Sequence, residues 1–205
     1  MRGDRPVEAR LIRPPTEGSV GRRAALAGAT GLFLGLMPSL GRAQVAPEAT
    51  RARPQPGDVL VRVDLDKRGP LKVGDLSIGG DPMLAWPLDP ASDTVRSGSR
   101  LNKVLMLRLD PEGFDRQTHE NAADGVLGYS AICPHTGCEL GKWLAEAQLI
   151  ECPCHFSHYD PKAGAKVLSG PSPRRLAALP LTADGDGRLV VAKPFVGRVG
   201  IQQQT

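Results

Sequence analysis

Alternating and continuous apolar runs along the chain predict short β-strands separated by turns rich in Gly and Pro. Val59, Val61 and Val63 recur at every second position, and residues 101–109 carry the strongest strand signal, because residues 104–107 are apolar without a break. The remaining strands are predicted at residues 71–78, 126–132, 149–151 and 165–168, and in a hairpin formed by residues 176–181 and 188–192. No helix longer than two turns is predicted after residue 56. The pattern therefore predicts an all-β domain.

Three other segments are predicted to lie outside regular strands. Residues 44–56 have the composition of a linker, with prolines set among Ala, Arg and Gln. Residues 83–90 are predicted as a loop broken by proline, in which Trp86 covers part of the core. Residues 110–124 are polar, and we interpret His119 within them as a surface side chain.

The first 43 residues differ from the rest and predict an export signal. Six arginines occur in residues 1–23, and the pair Arg22 and Arg23 directly precedes an apolar run at residues 24–37. Fourteen residues are short for a bilayer but typical of the apolar part of a signal peptide. The arginine pair resembles a twin-arginine export signal, with a cleavage site before Gln44. Alternatively, the segment stays attached as a membrane anchor.

These boundaries predict a signal peptide or signal-anchor at residues 1–43, a linker at 44–56 and a folded domain at 57–205. The export signal predicts that the folded domain lies in the periplasm, either soluble or attached to the inner membrane through the N-terminal segment. Without residues 1–43 the chain has 19 basic and 19 acidic side chains. A domain of zero net charge has no electrostatic footprint for nucleic acid, so a nucleic-acid partner is excluded.

The candidate chemistry lies in one stretch of the sequence. All four cysteines and three of the four histidines lie in two boxes, C-P-H-T-G-C at residues 133–138 and C-P-C-H-F-S-H-Y-D at residues 152–160. A C-x-H group and a C-x-x-H group sixteen residues apart have the spacing of two loops that hold one inorganic cofactor. We call these segments the first box and the second box.

Three interpretations of the boxes remain open from the residues alone. Zinc would be satisfied by two Cys and two His, but it leaves Cys138 and Cys154 without a role. A 2Fe–2S centre of mixed ligation uses the same four side chains, two Cys on one iron and two His on the other. Two disulfides without a metal would also account for four cysteines. The four candidate ligands are Cys133, His135, Cys152 and His155.

The two boxes resemble the cluster-binding boxes of Rieske iron–sulfur proteins, specifically the high-potential branch that carries a disulfide. The resemblance implies a Rieske-type antiparallel β domain with two cluster-binding loops at one end and one 2Fe–2S cluster. It makes Cys133 and Cys152 the ligands of the inner iron, and His135 and His155 the ligands of the outer iron. It also implies a disulfide between the two remaining cysteines, Cys138 and Cys154.

Further residues take their expected roles from the same resemblance. Ser157 and Tyr159 stand where the family has hydrogen-bond donors to cluster or cysteine sulfur, which stabilise the reduced state and raise the potential. Gly170, Pro171 and Pro173 match the family's proline-rich cover over the cluster.

The resemblance implies an electron-transfer subunit of an oxidoreductase complex rather than a stand-alone enzyme. One form is the iron–sulfur subunit of a quinol:cytochrome c reductase, with a cytochrome b-type partner, quinol as donor and a cytochrome c-type acceptor. The other is the small subunit of a soluble periplasmic molybdenum oxidoreductase resembling arsenite oxidase. Thr136 and Phe156 depart from the first form, which usually has Leu and Gly there, and Phe156 resembles the second.

Overall fold

The computed structural model describes residues 47–64 and 69–201. The predicted signal or anchor at residues 1–43 lies outside the described residues. Within the described ranges, no helix is both long enough and apolar enough to cross a bilayer. The two α-helices there are α1 (Pro47–Arg51) and α2 (Arg116–Asn121).

The described residues form eleven short strands, so the all-β prediction is confirmed. The strands are β1 (Val59–Arg62), β2 (Met83–Asp89), β3 (Thr94–Val95), β4 (Val104–Arg108), β5 (Val126–Ser130), β6 (Lys142–Leu144), β7 (Leu149–Glu151), β8 (His158–Asp160), β9 (Lys166–Ser169), β10 (Leu181–Ala183) and β11 (Leu189–Val191).

The larger sheet has seven strands in the order β10-β11-β1-β2-β4-β5, with β3 paired to β2, and its pairs are antiparallel. Strand β4 is buried at four successive positions, as expected from its unbroken apolar run. Leu60, Met106 and Leu189 belong to a core cluster on this sheet. Burial of such side chains contributes roughly 1.5–3 kcal/mol each.

The smaller sheet has four strands in the order β6-β7-β8-β9, all antiparallel, and it carries the two boxes. The first box follows β5 and precedes β6, whereas the second box begins after β7 and ends in β8. A second core cluster contains Leu107 and Tyr129 of the larger sheet, Ile150 and Tyr159 of the smaller sheet, and Cys152 in the loop of the second box. The two boxes are therefore anchored in a core shared by both sheets.

The prediction of a loop at residues 83–90 is wrong, because β2 runs through Pro87 and pairs it with Leu60. The carbonyl of Leu60 accepts from Leu71 N at 2.7 Å, and that of Pro87 accepts from Arg96 N at 2.8 Å. The two carbonyls thus face away from each other. At such a position β1 requires no N–H from the proline, so the strand continues.

The predicted strand at residues 71–78 is also wrong. Residues Val73–Asp75 form a 3₁₀ turn, in which Asp75 N bonds Lys72 O at 3.0 Å and the Asp75 carboxylate accepts from Lys72 N at 2.8 Å. This local pairing of backbone and side chain replaces strand pairing. At residues 47–56, where composition indicates a linker, helix α1 is held to the domain by Asn102, whose amide donates to Ala52 O at 2.7 Å.

Candidate metal centre

The first box folds as a tight loop closed by backbone hydrogen bonds. Cys133 N donates to Cys138 O at 2.9 Å, and Gly137 N donates to Cys133 O at 3.0 Å. Gly137 has φ +79, in the left-handed region that favours glycine. These bonds turn the chain back on itself directly after β5.

The second box repeats the same loop. Cys152 N donates to Ser157 O at 2.9 Å and Phe156 N donates to Cys152 O at 3.0 Å, which are the same relative positions as in the first box. Phe156 is the equivalent of Gly137 and also lies in the left-handed region, with φ 56. A Cβ is disfavoured in that region, so the backbone of Phe156 is strained.

The two candidate cysteines lie beside each other, and so do the two candidate histidines. Cys133 and Cys152 are the free cysteines, and both are buried, with 0% and 1% of their surfaces exposed. The rings of His135 and His155 meet edge to face, with centroids 4.7 Å apart. His135 Nδ1 is buried without a hydrogen-bond partner in the described chain.

The thiols are held in an apolar environment. Burial raises the pKa of the Cys152 thiol, and its interaction with Cys133 adds to this effect. Deprotonating two adjacent thiols in such a place is unfavourable unless a cation binds them, and soft metals bind thiolates. Two thiols and two imidazoles, one with an unpaired buried nitrogen, are the donor set that a 2Fe–2S centre of mixed ligation requires.

A disulfide joins the two boxes, between Cys138 and Cys154, as the resemblance implies. The sulfur atoms of these cysteines and Cys152 lie within 4.8 Å of one another. Sulfurs joined in a disulfide carry no thiolate, so Cys152 is the one member of this group that can bind a metal. The disulfide instead fixes the spacing of the two loops.

Tyr159 is placed beside one of the buried thiols. Its hydroxyl oxygen lies 3.1 Å from Cys133 Sγ, and its side chain is fully buried. Burial is the main cause that raises the pKa of Tyr159 well above its usual value, and the interaction with Cys133 raises this pKa further. The hydroxyl therefore stays protonated and can donate to a thiolate.

Ser157 links the second box to the proline-rich segment. Its buried hydroxyl oxygen accepts from Ser172 N at 3.0 Å. Gly170, with φ +88, lies so close that an added Cβ would stand 2.5 Å from Ser157 Cα. The segment predicted as a cover is thus packed directly on the second box, and Ser172 is a contact that the sequence pattern did not single out.

A polar ladder, also missed from the sequence, crosses the four strands of the smaller sheet. His158 Nε2 lies 2.7 Å from the Glu151 carboxylate, and Ser169 Oγ lies 3.0 Å from His158 Nδ1. Lys142 Nζ forms an ion pair with the Glu151 carboxylate at 2.5 Å. This contact is the largest of the causes that lower the pKa of Glu151. The sequence pattern does not reveal this ladder, because the contacts depend on the register of the four strands.

The burial of the site is asymmetric. The two thiols and Tyr159 are buried, whereas His135 is half-buried and His155 is exposed. His119 is exposed on α2 and lies outside the boxes, in agreement with its interpretation as a surface residue. The histidine side of the site is the side that faces solvent.

Comparison with known proteins gives matches over this part of the chain. Residues 114–180, which include both boxes and the proline-rich segment, match the model of the Rieske [2Fe-2S] domain. The chain is 34% identical to a putative respiratory nitrate reductase subunit Rieske of Haloferax mediterranei, over 59% of this chain and 52% of that protein.

Two further relatives are bacterial. The chain is 31% identical to the cytochrome bc1 complex Rieske iron-sulfur subunit of Mycobacterium tuberculosis, over 62% of this chain and 33% of that protein. For the subunit of the same name from Streptomyces lividans the identity is 28%, over 67% of this chain and 82% of that protein. The chain spans about half or less of the length of the first two relatives.

Proposed function

We propose that the chain transfers single electrons as the iron–sulfur subunit of a periplasm-facing respiratory oxidoreductase, because residues 114–180 match the model of the Rieske [2Fe-2S] domain. The electrons pass to a cytochrome c-type acceptor, as in a quinol:cytochrome c reductase. The observation that carries this proposal is that two disulfide-linked boxes contain two buried free thiols and two imidazole rings in contact with each other. The relatives named as bc1 complex subunits support the type of complex.

The proposed ligands of the cluster divide between its two irons. Cys133 and Cys152 hold the inner iron, and His135 and His155 hold the outer iron. The burial of the thiols and the exposure of His155 support this division, because the outer iron then lies nearest to solvent. When bound, a cluster of this type accepts and releases one electron at a time.

The surrounding residues set the energy of that electron. Tyr159, kept protonated by burial, donates to the sulfur of Cys133 and favours the more negative, reduced state. Ser157 is oriented by its bond from Ser172 N, and we propose that its own proton is donated to cluster sulfur. Gly170, Pro171 and Pro173 keep water from this side of the site.

A second candidate function is favoured by Phe156. We propose as the alternative the small Rieske subunit of a soluble periplasmic molybdenum oxidoreductase resembling arsenite oxidase. A phenylalanine occupies a left-handed position where glycine would relieve the strain. The relative named as a nitrate reductase subunit shows that a curated relative lies outside the bc1 complexes.

The location of the protein is also a proposal. Residues 1–43 act as a twin-arginine-type signal, or as an anchor to the inner membrane, and residues 57–205 form the Rieske domain. The arginine pair before a short apolar run supports export. The disulfide between Cys138 and Cys154 supports an oxidising compartment.

Electron paramagnetic resonance of the reduced protein tests the function and the ligands together. We expect a signal of low average g value, two irons per chain, and loss of this signal in His155→Ala. His119→Ala is the matched control, since it removes an exposed histidine outside the boxes, and it should keep the full signal. A colourless wild-type protein with zinc, or a full signal in His155→Ala, would contradict the proposal.

The intact mass of the native protein distinguishes the two complexes. Soluble periplasmic and washed-membrane fractions of the host are compared. A soluble form that begins at Gln44 supports the molybdenum oxidoreductase, whereas a membrane-bound form that retains residues 24–40 supports the quinol-oxidising complex.

A further inference from the structure

Phe156 presents a large apolar side chain at the solvent side of the second box. Sixty per cent of its surface is exposed, and it directly follows His155, which is also exposed. Its backbone lies in the left-handed region, where the equivalent loop has Gly137. A phenylalanine that is strained and exposed adds little to the stability of this chain. We therefore expect its side chain to contact another molecule.

The first box carries a second exposed apolar side chain. Ile201 is 50% exposed, and its Cγ2 lies 3.4 Å from the place that a Cβ of Gly137 would occupy. Each of the two boxes therefore has one apolar side chain on or against its left-handed residue, both turned towards solvent.

Two arginines are fixed beside these loops. Arg100 donates to Gly137 O at 2.5 Å, and Arg174, which follows the proline-rich segment, donates to Gly200 O. Within residues 47–64 and 69–201 neither guanidinium forms an ion pair with a carboxylate. The nearby acid Glu139 is paired with Lys103 at 2.6 Å.

We propose that Arg100, Phe156, Arg174 and Ile201 form a docking face for an acidic redox protein, one that surrounds its electron-transfer edge with carboxylates. We call this set the arginine–phenylalanine face. An apolar contact flanked by charges is the usual anatomy of a transient interface, and two arginines without a carboxylate partner among the described residues can bind carboxylates of another molecule. The inference rests on the proposed electron transfer and names the kind of partner.

The reaction on this face is an outer-sphere transfer of one electron. The reduced protein loses one electron and the oxidised partner gains it, without bond making or proton transfer. The charge of the face acts on the encounter of the two molecules, and this effect is largest at low ionic strength, where the Debye length is about 30 Å at 0.01 M.

The test uses the reduced holoprotein in stopped flow with two oxidants of opposite charge, ferricyanide and tris(phenanthroline)cobalt(III). We expect the ferricyanide rate to fall roughly tenfold between about 0.01 M and 0.2 M salt, since a positive face attracts the anion. The rate with the cationic complex should rise over the same range. A ferricyanide rate that rises with salt, together with a rate for the cationic complex that falls, would overturn the proposal.

The double variant Arg100→Gln/Arg174→Gln assigns the effect to this face. It should lower the low-salt ferricyanide rate about fivefold and leave the rate at 0.2 M nearly unchanged. The matched control, Arg116→Gln/Arg188→Gln, removes two arginines that pair with carboxylates on α2 and before β11, and it should leave the rate within about twofold. Equal effects of the two double variants would overturn the proposal.

A protein oxidant tests the apolar contact. With an acidic plastocyanin, Phe156→Gly should raise the concentration needed for half-saturation several-fold, but it should not change the rate with ferricyanide. If instead a basic mitochondrial cytochrome c reacts faster than the plastocyanin at low salt, the partner is not acidic and the proposal is overturned. Arg100→Lys/Arg174→Lys retains both charges and should restore the wild-type salt dependence.

The resonance signal and midpoint potential of every variant separate this inference from the proposed function. A normal signal with the wrong salt dependence contradicts the docking face alone. A wild-type protein without the signal contradicts the electron-transfer function on which the face depends.

Discussion

The substitution Gly170→Ala adds a single methyl group, which should push the proline-rich segment away from the second box. The φ of +88 at Gly170 disfavours any side chain, and an added Cβ would stand 2.5 Å from Ser157 Cα and 2.8 Å from Ser157 N. The backbone of the buried Ser157 cannot shift easily. Gly170→Ala must therefore displace the segment that carries Ser172.

The loss of folding free energy expected for Gly170→Ala is the sum of two contributions. The left-handed conformation costs an alanine about 1 kcal/mol, and overpacking against fixed backbone costs about 1–3 kcal/mol more. Gly187 provides the matched control, because its φ is +75 and nothing lies within 4 Å of its Cβ position. Gly187→Ala should thus show the conformational cost alone.

The assay is thermal unfolding of the two holoproteins, followed by circular dichroism and by loss of the visible cluster band. For a domain of this size 1 kcal/mol corresponds to about 2–4 °C, so Gly187→Ala should lower the midpoint by about that amount and Gly170→Ala by roughly two to four times as much. Gly170→Ala should also change the midpoint potential, since the bond from Ser172 N to Ser157 moves. Equal thermal shifts in both variants, with an unchanged potential, would show that the close packing does not exist.

Three more substitutions test other parts of the structure. Tyr159→Phe should lower the midpoint potential by about 40 mV, if the lost hydrogen bond favours the reduced state by about 1 kcal/mol; redox titration measures this. Asp58→Ala removes the carboxylate that the buried Arg96 binds at 2.7 and 2.9 Å and leaves it the more distant Asp89 at 3.7 Å, so it should cost about 3 kcal/mol in denaturant unfolding. Cys138→Ser opens the bridge to Cys154 and should cost about 3 kcal/mol and speed cluster loss.

Each of these changes has its own control. The control for Tyr159→Phe is the resonance signal, which should stay unaltered. An unchanged midpoint potential would mean that the hydroxyl does not reach the sulfur. For Asp58→Ala the control is Glu120→Ala, which breaks an exposed i,i+4 pair and should change unfolding little; equal effects would refute the buried pair. For Cys138→Ser it is the wild-type protein under reducing conditions, which should lose its cluster at a similar rate.

The parts of the fold that depend on neighbours in sequence could be predicted. The apolar runs of β4 and β5 encode burial directly, the spacing of Cys and His in the two boxes indicates a single inorganic cofactor, and the resemblance to Rieske proteins indicates its type. The strand through Pro87 could not be predicted, because its tolerance depends on which side of β2 pairs with β1. The 3₁₀ turn at Val73–Asp75 depends on a local carboxylate contact that competes with strand pairing.

The contacts around the site were even less accessible from the sequence. The identities of Arg100 and Arg174 say nothing of their bonds to Gly137 and Gly200, which join residues far apart in the chain. The strain at Phe156 becomes visible only when its loop is compared with the first box, since the residue type alone gives no positive φ. The ligand assignment itself stays a prediction.

The order of strands in the smaller sheet has a consequence for how the protein is made. Strands β6, β7, β8 and β9 follow one another in space as in the chain, so each pairing closes a short loop. The larger sheet instead needs Val59 beside Val190, near opposite ends of the described chain. We expect the box-bearing sheet to gain hydrogen-exchange protection before β1 and β11 in pulse labelling of refolding. The cofactor pocket would then take shape during synthesis, while the last strands are still on the ribosome.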